Sequence, residues 1–175
     1  MQGDRCAYCE SEISSPNRHI EHFVKRNGPN GNRRLTFEWS NLFGSCDREE
    51  SCGKYKDKQS FEPDELIKPD RDNPEDYLLF LSDGRIVPRG DLSDANRRSA
   101  KETLRVFNLD HERGPLRFAR ERAIAGYIQI SEEFARYALE FGEEEWRPLV
   151  EEELGRIRDL PYATAIKHTI LKGLP

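Results

Sequence analysis

Four cysteines fall in two pairs, Cys6-x2-Cys9 and Cys46-x5-Cys52, and enclose Glu21-His22 and the segment Trp39-Ser-Asn-Leu42. The first spacing puts two thiolates on one turn, where both can face a tetrahedral ion at ~2.3 Å. The second pair is looser than the usual spacing of about two to four residues, but with its tight partner upstream it completes an all-cysteine set for a structural zinc ion. Buried or redox-active thiols are the plainer alternative. A thioredoxin-like use of Cys6-x2-Cys9 is disfavoured, because no strand–helix–strand pattern surrounds it. A metal held by all four would fix the ends of residues 6–52 together and make the intervening segment a preorganised insert.

Glu21-His22 sets a hard oxygen ligand beside an imidazole. Imidazole ordinarily titrates near ~6.5, so at neutral pH it can take a proton from water. A divalent cation on the carboxylate would neutralise a phosphate and a departing oxygen. Neighbours on a strand point to opposite faces, so both reach one site only where the strand ends or bends. Taken alone, a Glu-His pair is nonspecific, and two surface residues are the bland reading.

The elements that must position these groups are legible in outline. Asn27-Gly-Pro-Asn-Gly-Asn32 is an exposed loop. Residues 35–39 alternate enough for a short strand or an extended approach to a helix. Residues 62–76, with three prolines and many acids, predict a linker or surface-hugging connection. Two apolar runs around Ser82-Asp83-Gly84 predict a β-hairpin over residues 77–87. Beyond it the period becomes helical: from a cap at Ser93 or Asp94 to about Phe107, from Pro115 to Gly142, from Trp146 to a stop at Pro161, and over Ala163–Leu171. The expected fold class is α+β. Its parts are a small zinc-stapled module over 1–60, a linker and hairpin over 61–92, and a mainly α-helical region over 93–175.

Composition bounds the function. The 175 residues are 35% hydrophobic and 35% charged, lean for a large core, so a metal staple near the N-terminus would be useful. No run approaches the ~20 apolar residues of a membrane span, and Met1–Cys6 has no apolar leader core, so a reducing, cytoplasmic setting is expected. The net charge of −5 is unlike that of a nucleic-acid binder, yet it is uneven: residues 1–60 carry ten Lys/Arg against nine Asp/Glu. Arg18, Lys25, Arg26, Arg33 and Arg34 cluster near Glu21-His22, and Lys54, Lys56 and Lys58 follow the second cysteine pair. Local basic groups can hold phosphates on an acidic protein; scattered solvated charge is the alternative for any one of them.

Cys-x2-Cys, then Ile-Glu-His-Phe, then Trp-Ser-Asn-Leu-Phe-Gly-Ser-Cys, then Cys-Gly-Lys-Tyr-Lys-Asp resembles the zinc-containing form of the HNH (ββα-metal) endonuclease family. The later segments Phe80-Leu-Ser-Asp-Gly-Arg-Ile and Ala100-x2-Thr103-Leu-x2-Phe107 look like the helical extension of PtuB-type HNH proteins. Those are nuclease partners of an ATPase in Septu and retron antiphage systems. The resemblance implies a metal-dependent hydrolase of phosphodiesters, with DNA favoured over RNA, Mg²⁺ or Mn²⁺ as catalytic ion, and a PtuA-like ATPase or a second copy as partner. It implies His22 as general base, Glu21 as ligand of the catalytic ion, and Asn41 as the asparagine that steadies the loop carrying the base. Trp39 and Leu42 are expected in the core.

Two positions depart from the family pattern. Where it commonly carries His or Asn as last ligand of the catalytic ion stands Gly53; Asp57, one helical turn on, is the expected replacement. Where it carries proline after the catalytic histidine stands Lys25, a candidate phosphate contact with Lys56. His19 is expected to be exposed or to contact phosphate, and His111 and His168 to be structural or surface residues. A noncatalytic zinc module that binds protein or nucleic acid is the competing class, with Gly53 marking a lost ligand. The two acidic runs at 143–145 and 151–153 are most simply a solvated helix face.

Overall fold

The computed structural model describes residues 2–14 and 16–175 as an α+β chain. Contacts group it into two compact units, Met1–Leu78 with Pro88–His111 and Leu79–Val87 with Glu112–Pro175.

In the first unit, β1 (Arg18–His22) pairs antiparallel with β2 (Leu42–Cys46), from Arg18 opposite Cys46 to His22 opposite Leu42. A short helix, α1 (Cys52–Asp57), follows the last cysteine. The longer α2 (Asp94–Phe107) packs on α1 and buries Ala100, Val106 and Phe107 completely. This burial groups α2 with the cysteine-bearing unit. Its start follows from Ser93, whose hydroxyl accepts from Asn96 N, and its end from Asn108 in the left-handed region at φ 50°. Tyr8 stacks on Phe107 at 4.1 Å, and Phe23 meets Phe43 edge-on at 6.1 Å, so an aromatic core lies behind the β1–β2 ribbon.

Two sequence expectations fail in this unit. Residues 35–39 form no strand: Leu35 ends one 3-10 turn, Arg33–Leu35, started by the Asn32 side chain accepting from Arg34 N, and Glu38 is an extended approach to the next, Trp39–Asn41. Local side-chain capping there competes with an extended conformation. The proline-rich segment 62–76 is more than a linker. Leu66 and Ile67 are buried, and Ile67 N donates to Thr103 Oγ1 on α2 at 2.9 Å.

The hairpin of β3 (Leu78–Phe80) and β4 (Ile86–Pro88) turns where expected. Its tip belongs to the second unit with α3 (Pro115–Ala125), α4 (Ile128–Glu140), α5 (Glu143–Ile157) and α6 (Ala163–Ile170). The single helix expected over 115–142 is two, divided at Gly126-Tyr127, where the helical run is broken by the poorest non-proline helix former. Gly84 sits at φ 80°, and a Cβ there would overlap the Arg117 carbonyl oxygen of α3. The buried Arg120 donates from Nε to Gly84 O at 2.7 Å, fixing tip to helix. Trp146, Val150, Ile157, Ile166 and Ile170 form this unit's apolar centre.

Candidate active site and metal centre

The four thiols converge. Their Sγ atoms all lie within 4.8 Å of one another, and all four residues are buried and free of disulfides. Cys9 Sγ and Cys46 Sγ are 3.9 Å apart, close to the ~3.8 Å edge of a tetrahedron with ~2.3 Å metal–sulfur bonds. The knuckle is closed by Glu10 N donating to Cys6 O at 3.0 Å, with Glu10 turned to φ 59°. Ala7 N donates to Gly44 O, which ties the knuckle to β2. Cys52 opens α1 at φ 57°, a conformation that costs a β-carbon residue on the order of 1–2 kcal/mol and persists only where its surroundings hold it. Mutual hydrogen bonds split the quartet: Cys46, Cys52 and Cys9 hold the Cys6 thiol well below its ordinary range and Cys52 lowers Cys46, while Cys46 pushes the Cys9 and Cys52 thiols well above theirs. This donor set fits a metal ion, as a closed all-sulfur structural site.

On the inward face of β1, Glu21 is 2% exposed and forms an ion pair with the wholly buried Lys56 of α1 through Oε1. Lys56 Nζ also donates to His22 O and, at 3.2 Å, to Phe23 O. The expectation that Lys56 meets phosphate is therefore corrected: its ammonium is buried against Glu21 and two carbonyls of its own chain, with the Asp57 carboxylate at 3.4 Å. A buried charge needs such partners to offset desolvation. Glu21 Oε2 lies 3.6 Å from His19 Nε2, and His19 Nδ1 faces Asp47 Oδ1 at 3.7 Å. Glu21, then Asp47, hold the His19 imidazole above its ordinary pKa. Lys54 Nζ in turn sits 2.6 Å from Asp47 Oδ1.

His22 is the last residue of β1, the point at which adjacent side chains are no longer held to opposite faces. Its Nε2 is 3.0 Å from Thr36 O. A carbonyl only accepts, so Nε2 is the donor, and in the neutral ring the lone pair then falls on Nδ1. Asn41 braces both sides of this contact: Oδ1 accepts from Val24 N at 2.7 Å, while Nδ2 donates to Val24 O and to Leu35 O, each at 3.1 Å. The first pair fixes the chain leaving His22; the last fixes the residue before Thr36. Asn41 is 3% exposed.

Other expected site residues are placed elsewhere. Asp57 has an exposed carboxylate whose nearest charged partner is Lys56 Nζ at 3.4 Å. Among the described residues, the cysteines are the one group of three or more potential ligands gathered within 4.8 Å, so Asp57 does not join His19 and Glu21 in such a group. Lys25 donates from Nζ to Asp57 O and Gln59 O, at 2.9 and 2.6 Å, and so closes the end of α1. Desolvation lowers its pKa. Trp39 is 77% exposed rather than core, because β2 begins only at Leu42 and the 3-10 turn carries the indole outward. Phe37, at 92%, and the arginines Arg33 and Arg34 are exposed on the same stretch. His168 accepts from Phe80 N through Nδ1 at 3.0 Å, and His111 is exposed.

No family model matches the sequence. A curated protein of Vibrio cholerae serotype O1 biovar El Tor, named "Retron Vc95 putative HNH endonuclease", is 30% identical over 135 residues. Over this span the chain is similar to that retron relative. The match covers 74% of this chain and 62% of that relative, so the chain spans under two thirds of the protein it resembles. What sequence reasoning missed is the pairing of His19 with Glu21. The signal was Gly53, a missing side chain beside the second cysteine pair.

Proposed function

We propose that this protein is a divalent-metal-dependent HNH endonuclease that hydrolyses phosphodiester bonds, with DNA as preferred substrate. The observation that carries the reading is the contact of His22 Nε2 with Thr36 O, which directs the neutral ring's lone pair to Nδ1, with Asn41 bracing the chain on both sides. The Nδ1 lone pair then takes the proton of an attacking water. Glu21, with Lys56 neutralising one of its oxygens, offers the other to Mg²⁺ or Mn²⁺. When bound, such an ion supplies charge neutralisation at the scissile phosphate and the departing oxygen. The cysteines hold structural zinc, which keeps the strand bearing His22 in register with α1. Exposed Arg33 and Arg34 would meet phosphates, and the Phe37 and Trp39 rings would meet bases.

The retron relative supports a role as effector of an antiphage system, acting in the cytoplasm with a PtuA-like ATPase. The C-terminal helices, with a second copy as the other candidate occupant, would provide the docking surface; none of them is long and apolar enough to cross a membrane. One observation favours a noncatalytic binding module instead: the ammonium of Lys56 already pairs with Glu21. Incubating zinc-loaded protein with duplex DNA, single-stranded DNA and RNA, with and without Mn²⁺, separates the two. Mn²⁺-dependent strand cleavage, strongest on DNA, is expected. Binding without cleavage of any polymer, with the ATPase neighbour present, would leave only the module.

A further inference from the structure

Gly53 is the position where a side chain would meet the candidate cation site, and the space is already taken. A Cβ built there would overlap Glu21 Oε2 and lie 3.0 Å from His19 Nε2. Two ligand-type atoms, one a hard oxygen and one an imidazole nitrogen, thus converge on the volume that a side chain at 53 would fill. They stand 3.6 Å apart, close enough to share one ion. The flanking contacts have the form of a metal site: the far nitrogen of His19 faces the Asp47 carboxylate, as metal-bound imidazoles face a carboxylate or carbonyl. His19 Nδ1 is buried without a hydrogen bond, and the Asp47 carboxylate at 3.7 Å is the charged group that faces it. Lys54 holds Asp47 in place. Lys56 neutralises Glu21 Oε1 only, leaving Oε2 for the cation.

From this geometry we infer that His19 is a ligand of the divalent cation through Nε2, and that it replaces the side chain absent at Gly53. The inference rests on the nuclease reading for its setting, but it concerns ligation and not cleavage. His19 and Gly53 form a coupled pair: the imidazole enters because residue 53 has no Cβ, and the glycine is tolerated because the imidazole supplies the donor. Asp57 is thereby dispensable as a ligand. Mg²⁺ and Mn²⁺ sites often use one or two protein groups and complete their shell with water and substrate phosphate, so two ligands suffice.

The test is pulsed electron paramagnetic resonance of Mn²⁺ bound to zinc-loaded protein in which histidine is labelled with ¹⁵N. The expected result is a histidine-nitrogen coupling that persists in His22→Ala and vanishes in His19→Gln. Calorimetry should show Mn²⁺ affinity falling at least about tenfold in His19→Gln, since losing a ligand costs more than losing the carboxylate behind it. Asp57→Asn should bind Mn²⁺ as the parent does. Zinc content of each variant reports that the scaffold is intact; if His19→Gln loses zinc, the labelled parent and His22→Ala still decide the matter. A coupling that disappears in His22→Ala, no histidine coupling in the parent, or unchanged affinity in zinc-replete His19→Gln would each overturn the inference. Cleavage by the parent and its loss in His22→Ala are scored separately, so the nuclease reading can fail or stand on its own.

Discussion

The two compact units are held together by different means. The cysteine-bearing unit buries Glu21, Asn41, Ser45, Ser51 and Lys56, and its regular elements near the site are five- and six-residue pieces. The second unit buries an apolar row, Trp146, Val150, Ile157, Ile166 and Ile170, between helices of 8 to 15 residues. Burial of apolar surface is non-directional and tolerant; burial of charge demands partners at fixed positions. A unit proposed to position a general base and an ion would need a staple that does not depend on a large core, and the four converging thiols are placed to hold one. The helical unit has no such demand and can devote its outer faces to contacts.

Breaking the staple gives the largest expected effect. Structural zinc contributes on the order of 10 kcal/mol or more to folding. Cys9→Ser should remove zinc and abolish hydrogen-exchange protection in β1, β2 and α1, while helices α4 to α6 stay protected. Uniform loss across both units would mean that their stabilities are not separable in this way. Lys56→Met comes next. It leaves the Glu21 carboxylate buried without its cation, which should cost about 3–5 kcal/mol, read as a lowered thermal midpoint with zinc still bound. An unchanged midpoint would show that Glu21 is better hydrated than its 2% exposure indicates. Ile166→Ala, in the apolar row, should cost about 2–5 kcal/mol from lost burial and a residual cavity, with zinc content and Mn²⁺ affinity as in the parent. Altered Mn²⁺ binding in that variant would blur the division between the units.

What could be read from sequence follows the same division. The spacing within each cysteine pair, the hairpin at Ser82-Asp83-Gly84 and the helix started by Ser93 are set by neighbours a few residues away, and such signals survive in a linear string. The burial of Lys56 is not local. It depends on α1 lying under β1, so that a lysine expected at phosphate reaches Glu21 and the carbonyls of His22 and Phe23 instead. Trp39 misled for a related reason: an aromatic beside a strand suggests core, but the 3-10 turn that precedes β2 points it outward. Asn41 could be singled out from sequence, and its bonds to Val24 and Leu35 could be found only once both segments were placed. His19 was visible as a residue and invisible as a neighbour of Glu21, because strand β1 had first to exist for residues 19 and 21 to share a face.

The most direct test of the central claim is the rate of Mn²⁺-dependent cleavage of DNA by His22→Ala, measured beside the parent at matched zinc content. The account predicts loss of cleavage, by about a hundredfold or more as for removal of a general base, with zinc and Mn²⁺ still bound. Cleavage at the parental rate would contradict the assignment of His22 as the base.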